Sequence, residues 1–338
     1  MKKEMMSPER LAASLAVLDL TDPKNGIHAI NLVVQRVRQA LETAYAGTPV
    51  EEVKTDPIVS VKENFDNLLF PEDNLGRSSR YTRYVAPDKV LRTHTSAAIP
   101  SWLKKVAHEG NSDKIVVLPG MFYRRDIVDR THCGEPHQMD VWRVKRGDPR
   151  FGRQDLVHLI ETILNSVVPG YQYRANEVKH PYTINGLEVE VLVNGNWLEV
   201  LECGETHPVV LGNAGLDPQG YSGLALGMGL DRLVMIIKDI DDIRVLRSGD
   251  PRIKRQMDNL DKFVKVSDQP ATKRVLSYST STDKTEEDVC EEIRDELGSE
   301  AAYIEEIQYS EILYEQLPSN QMQLVETIDV DSYFIGVF

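Results

Sequence analysis

The chain has 338 residues, 39 Lys and Arg against 53 Asp and Glu, and a formal net charge of −14. Single cores seldom grow beyond about 250–300 residues, so two domains are expected. No apolar run approaches the ~18 residues that would span a bilayer, which argues against a membrane protein and reads as cytoplasmic. Cys133, Cys203 and Cys290 stand far apart with no C-x-x-C pair, so neither a disulfide framework nor a structural zinc site is supported.

In chain order, Pro23, Asn25 and Gly26 precede an apolar pattern (Ile27, Ile30, Val34, Val37, Leu41) that predicts a helix to about Tyr45, ended by Gly47 and Pro49. Strands are predicted at 57–62, 90–97, 114–124 and 138–144, and an amphipathic helix from Asp155 to Val168. Leu187–Val193 and Asn196–Leu201 flank Asn194-Gly195, the dipeptide preferred in a two-residue type I′ turn, and so predict a hairpin. The sum is an α+β fold, a mostly antiparallel sheet with helices on its faces. Residues 263–272 have linker composition. The remainder, 273–338, reads as strand (274–280), helix (285–297), strand (303–314) and a last strand near 321–328 or 332–338. From residue 271 onward sixteen Asp and Glu face four bases, a net of −12, so the acidity belongs to this tail.

Residues 120–142 concentrate the chemistry. Arg124, Arg125, Asp126, Asp129, Arg130, His132, Pro136, His137, Gln138 and Asp140 lie between the apolar runs Ile115–Leu118 and Val141-Trp142. A loop held between buried strands keeps its charges in register, as a nucleotide site requires. Gly223, Gly227 and Gly229 invite comparison with a dinucleotide fingerprint, but its third glycine and a following acid-ended strand are missing, so that reading is rejected. Glycines in a strand instead let a ligand lie against the backbone. Across the Asn194-Gly195 turn Glu190 faces Glu199, and like charges so placed repel unless a cation lies between them. Magnesium bridging phosphates is the expected one.

The 120–142 stretch resembles motif 2 of class II aminoacyl-tRNA synthetases, in the form of the catalytic chain of phenylalanyl-tRNA synthetase. Residues 222–235, a glycine-rich strand running into a helix with Arg232, are similar to motif 3, and Leu91–Ala97 to the strand after motif 1. The helix from Ile27 with the strand at 57–62 resembles motif 1, which implies a homodimer. The resemblance covers nearly all of residues 15–262 and implies a catalytic domain at 1–262. Amino-acid activation joins two anions, so fixed cations are needed at the α-phosphate and at the leaving pyrophosphate. The resemblance assigns these catalytic tasks to Arg124 and Arg232. It implies ATP contacts at Arg124, His132, Pro136 and Arg232, and amino-acid contacts at His94, Ser96, Asp126, Gln138, Asp140, His180, Tyr182 and Ala225. ATP and Mg²⁺ are the implied cofactors, with Glu190 and Glu199 as metal ligands. The tail is similar to the first half of the ferredoxin-like anticodon-binding domain of single-chain organellar enzymes.

Two departures bear on specificity. Pro136-His137-Gln138 stands where the family has Phe-His-Gln, and His180-Pro181-Tyr182 where it has Phe-Pro-Phe. Glu202 and Glu205 add charge where the family has small or apolar residues. Tyrosine-like, hydroxylated or cationic amino acids therefore join phenylalanine as candidates, because a site seeking hydrogen bonds rejects a ring that leaves them unmade. A tail of net −12 opposes tRNA phosphates. The sequence leaves open tRNA, another acceptor (a carrier protein, a protein side chain or a small molecule), and a non-catalytic regulatory role.

Overall fold

The computed structural model describes residues 3–110, 112–125, 129–266, 272–280, 285–298, 301, 304–312 and 324–332, with 272–280, 304–312 and 324–332 described through their backbone alone. The chain begins with α1 (Pro8–Ala16), α2 (Ala29–Ala44), β1 (Val50–Glu52), β2 (Ile58–Ser60), α3 (Val61–Asn64), β3 (Tyr84–Ala86), β4 (Lys89–Leu91) and α4 (Ile99–Glu109). It continues through β5 (Asp113–Met121), β6 (His137–Arg146), α5 (Arg153–Val167), β7 (Tyr173–Glu177), β8 (Thr183–Val193), β9 (Asn196–Thr206), α6 (Pro208–Asn213), β10 (Tyr221–Gly229), α7 (Leu230–Lys238) and α8 (Pro251–Lys254). The tail adds β11 (Thr272–Thr280), α9 (Glu286–Leu297), β12 (Ile304–Ile312) and β13 (Leu324–Ser332).

Seven strands form one sheet in the order β1-β5-β6-β10-β9-β8-β7, antiparallel except where β1 runs parallel to β5. Period-two alternation sorts its side chains. Ile115, Val117, Met139, Val141, Leu187, Val189, Leu224, Leu226 and Met228 point into one core with α2, α5 and α7. Val116, Leu118, Trp142, Val144 and Ala225 point the other way, into a second core with α4 and α6. Strands buried on both faces read as unbroken apolar runs, which is why Ile115–Leu118 shows no alternation in the sequence. The second core covers only part of its face, and the uncovered part, toward β9 and β8, carries the candidate site.

The predicted helices exist with small changes. Helix α2 starts two residues later than Ile27, which is 65% exposed, because His28 caps it: Nδ1 accepts from the Ile30 amide, and Nε2 meets the Leu246 carbonyl at 2.9 Å. Its stripe of Ile30, Val33, Val34, Val37 and Leu41 is buried within the chain. Helix α5 buries Leu156, Leu159, Ile160, Ile163, Leu164 and Val167, and Asp155 accepts from the Gly152 amide at its start. The turn Asn194-Gly195 has φ of 49° and 84°, the two positive values that a type I′ turn requires.

Three expectations change. The strand predicted at 90–97 ends at Leu91, and Thr95–Ala98 form a 3₁₀ turn that enters α4, because the hydroxyls of Thr95 and Ser96 turn inward to Asp140. The stretch expected to be linker from 263 remains attached through Val266: Phe263 and Val266 pack on the first core, and the Phe263 amide bonds the Lys238 carbonyl at 2.7 Å. In the tail, β11, β13 and β12 form a separate antiparallel sheet with β13 in the centre, and both ends of β13 differ from the two ranges predicted.

His28 makes folding pH-dependent. Burial pushes its imidazole down to about 4, and the neutral ring uses one nitrogen as acceptor and the other as donor, so a second proton would displace the helix cap. With a folded value below the unfolded ~6.5, the unfolded chain binds the proton first, so stability is complete above 6.5 and falls as pH drops toward 4. Between pH 7 and pH 5 this residue should withdraw about 2 kcal/mol. Denaturant unfolding of His28→Gln should show a shallower loss of stability over that interval than the wild type.

Candidate active site

The floor of the uncovered face is almost bare backbone. Opposite the first core β10 presents Gly223, Ala225, Gly227 and Gly229, and β9 presents Gly204 together with Glu202, which pairs with Gly227. Neighbours cover three of these glycines. A Cβ on Gly204 would meet Thr183 at 2.7 Å, one on Gly223 would meet Thr206 Oγ1 at 2.5 Å, and one on Gly227 would meet Gln138 Nε2 at 2.9 Å. Gly229 is open, with nothing nearer than Arg232 Cβ at 4.0 Å.

Around this floor stand most of the residues singled out from sequence. Asp140, 1% exposed, accepts from Thr95 Oγ1 (2.7 Å), Ser96 Oγ (2.5 Å) and the Trp142 indole (3.1 Å). Burial raises its pKa, and those donors oppose the rise. Asp140 was expected to meet the amino acid directly; three of its four acceptor sites are instead taken by its own fold, and it orders the Thr95-Ser96 turn. Gln138 lies beside that turn, its Oε1 3.4 Å from the Thr95 amide. His94 is stacked on Phe70, ring centroids 5.5 Å apart, and neither of its buried ring nitrogens has a partner among the described residues. Burial, then Arg124 and Arg92, push it down to about 3, so it is neutral. Tyr182 stacks on both Trp142 and His180, and it leans toward Phe70 at 6.0 Å. His180 Nε2 lies 3.3 Å from Glu202, whose carboxyl it holds low despite burial. Ala225, 1% exposed, lies across from Trp142 on one side and Gly204 on the other.

The two arginines are each held by a backbone carbonyl. Arg232, in the first turn of α7, donates to the Glu199 carbonyl at 2.8 Å and stands 3.6 Å from its carboxylate. Arg124 is steadied by the Thr93 carbonyl (2.9 Å to Nε) and by the Phe122 ring at 4.6 Å. Among the described residues it has no carboxylate within ion-pair distance. Burial raises the pKa of Glu199, Arg232 opposes this, Glu202 and Glu188 add to it, and Arg124 opposes it.

Glu190 is the main correction. Its Cα does face Glu199, yet its carboxylate is taken by Arg174 (2.5 Å) and Asn176 (2.6 Å). A β-bulge shifts the register from Glu190↔Glu199 to Val189↔Leu201, so Glu199 and Glu202, of opposite parity in sequence, share a face. The neighbours of Glu199 are therefore Glu202 and Glu188. Among the described residues no three His, Cys, Asp or Glu are arranged to hold a metal ion. His132, expected at the nucleotide, is bonded to Asp129 at 2.7 Å. Burial opposes that pair, but the His132 and Thr131 contacts keep the Asp129 carboxyl at about 2. The Pro136 carbonyl accepts from the Phe122 amide at 3.0 Å, tying the two arms of the loop together. Asp126 lies outside the described residues.

Sequence reading missed Phe70, which carries no motif, and the buried set behind α7. The backbone and ring N–H groups of His137 meet Asp231 (2.5 and 3.0 Å), while its Nε2 accepts from the Leu20 amide (3.1 Å) and faces Arg247 (3.2 Å). The adjacent pair Asp231-Arg232 thus has one member anchored inward and the other presented outward.

A largely antiparallel sheet backed by three helices, with two arginines beside a glycine-rich face, defines an α+β domain. Residues 18–257 match the family model described as the class II core domain of tRNA synthetases (F). A mitochondrial phenylalanine–tRNA ligase of Dictyostelium discoideum is 32% identical over 71% of this chain, which spans 58% of that protein's length. A phenylalanine–tRNA ligase alpha subunit of Acaryochloris marina is 34% identical, covering 75% of this chain and 76% of its own. The solved pyrrolysyl-tRNA synthetase of Desulfitobacterium hafniense aligns with a TM-score of 0.53 at 15% identity, over 71% of this chain and 78% of that one, which shows the fold alone. The chain belongs to the class II tRNA synthetase core family.

The glycine floor makes a contrast testable. Gly204→Ala forces its methyl against the Thr183 Cβ and, at 3.0 Å, the Ile184 carbonyl, backbone that cannot yield, so a loss of about 1–3 kcal/mol is expected. Gly229→Ala meets open space and should change stability by less than about 0.5 kcal/mol. Denaturant midpoints of the two variants decide this.

Proposed function

We propose that this protein activates an amino acid with ATP and transfers it to tRNA. A carboxylate oxygen of the amino acid attacks the α-phosphorus, the bond to the β-phosphate oxygen breaks, and pyrophosphate leaves. A tRNA hydroxyl then attacks the acyl carbon and AMP departs. The observation that carries this reading is that Arg124 and Arg232 are each held by a backbone carbonyl, of Thr93 and Glu199, with Arg232 beside the Glu199 carboxylate and the open backbone of Gly229. Arg124, with no carboxylate partner among the described residues, is available to the α-phosphate, where planar guanidinium donors stabilise charge that grows in the transition state. Arg232, steadied by the Glu199 carbonyl, is available to the leaving phosphates. Neutral His94, Ser96, Gln138 and Tyr182 bound the space for the amino acid. The Glu199 carboxylate, crowded by Glu202 and Glu188, suits one magnesium ion completed by phosphate oxygens, with Glu190 left out. Magnesium there would neutralise phosphate charge.

Relatives named phenylalanine–tRNA ligases support tRNA as acceptor and phenylalanine as one candidate substrate. His180, Tyr182 and Glu202 favour a side chain that makes hydrogen bonds. The acidic tail favours a second reading, in which the acyl group goes to a carrier protein, a protein side chain or a small molecule. Pyrophosphate exchange across all amino acids, with and without total tRNA, separates activation from transfer and names the side chain. In that assay Arg124→Ala and Arg232→Ala should each lose roughly 100-fold or more with unchanged unfolding curves. Near-normal exchange in either variant would sink the adenylate reading.

We also propose a homodimer through the outer face of α2, supported by its resemblance to motif 1 and by Ile27 exposed at its start. The apolar stripe of α2 is used inside the chain, so Gln35, Arg36 and Gln39 would meet the partner. Sedimentation at micromolar concentration should give twice the 38.2 kDa chain mass; a monomer refutes it.

A further inference from the structure

Arg83 is 4% exposed and lies where four segments meet. Its Nη1 donates to Ser14 Oγ of α1 at 3.2 Å and to Glu135 of the loop before β6, and its Nη2 stands 3.6 Å from Glu291 of α9. The adjoining Gly134 leaves room for it, since a Cβ there would meet Nη2 at 2.7 Å. The same Gly134 offers its carbonyl to the Arg124 amide at 3.1 Å. From its other side α9 reaches the loop directly, with Asp288 3.3 Å from Arg125, whose amide bonds the Tyr81 carbonyl at 3.1 Å. Asp295 of α9 also pairs with Arg10. Helix α9 is thus held against the arms of the loop that carries Arg124, with Val289 and Cys290 buried beneath it.

A buried guanidinium is tolerated only when its charge is paired and its N–H groups are bonded, and removing a partner from such a set is costly because the remaining charge has no solvent. Glu291, itself 7% exposed and also 3.2 Å from Arg294, supplies the second carboxylate. We propose that Glu291 is a positioning residue for Arg124: by completing the charge shell of Arg83 it fixes the Gly134-Glu135 turn, and with it the backbone that aims the Arg124 guanidinium. This rests on Arg124 as a phosphate ligand. It makes the acidic tail a structural part of the nucleotide site.

The test uses the full chain and two readouts. In amide hydrogen exchange over residues 122–136, Glu291→Gln should open the Arg124 amide roughly tenfold faster than the wild type. Glu296→Gln, the same charge change at an exposed position of the same helix, should leave it unchanged, and Glu291→Asp, which keeps the charge, should stay nearer the wild type. In pyrophosphate exchange, Glu291→Gln should raise the KM for ATP by about fivefold and lower kcat by a similar factor, since an arginine that meets the phosphate before and in the transition state is misplaced rather than lost. Unchanged amide exchange in Glu291→Gln overturns the proposal, as does an equal effect from Glu296→Gln. Faster exchange with an unaltered KM overturns it too, because Arg124 would then not depend on this turn. If the wild type activates no amino acid, the adenylate reading fails separately, and the affinity for ATP measured by calorimetry replaces KM in deciding this one.

Discussion

Leu224, Leu226 and Met228 point from β10 into the core with α2, α5 and α7, and this fixes Gly223, Ala225, Gly227 and Gly229 on the opposite face. A strand cannot exchange its faces without moving every side chain at once, so burying one row dictates the other. On the far side α4 and α6 cover the sheet over β5, β6 and the start of β10. Along the uncovered remainder β10 itself contributes only glycine and alanine. The open site is therefore what remains once two cores have been packed on a single sheet, and its position follows from where α4 and α6 stop.

Charge at this opening is arranged by asymmetric burial. Asp140, Asp231 and Arg83 are all deep in the fold and surrounded by donors or counter-charges, so they hold backbone segments in place. Arg124 and Arg232 project from those segments and are bound chiefly by carbonyl oxygens, which orient a guanidinium without cancelling its charge. Fixed cations that need no rearrangement when a polyanion arrives are what transfer at phosphorus requires. Glu199 beside Arg232 provides the opposing term, with a proton affinity raised by burial and by Glu202 and Glu188.

Local signals were legible in the sequence. The period of α5, the Asn194-Gly195 turn and the alternation of β8 each depend on residues a few positions apart. The motifs brought Arg124, Arg232, His94, Ser96, Gln138 and Asp140 to one face. What stayed hidden depends on long-range pairing. Thr95 and Ser96 leave the strand because Asp140, over forty residues away, takes their hydroxyls. Counting across the hairpin gives Glu190 opposite Glu199, which is true of the backbone; the bulge one step further on decides which carboxylate keeps company with which. Phe70 carries no motif, and its stacking on His94 is set by folding alone.

The tail shows the same limit in its charges. A net of −12 beyond residue 270 argues against a nucleic-acid partner only if those carboxylates face solvent. In the folded chain Asp288, Glu291 and Asp295 are matched with Arg125, Arg83 and Arg10 of the first domain. These pairs reduce the repulsion that the tail presents outward. They also occupy Arg10 and Arg125, which could otherwise meet phosphate. Tail acidity and loop basicity are thus two halves of one contact, and the charge balance that sets the tail against nucleic acid on paper is in part spent on docking α9 against the loop.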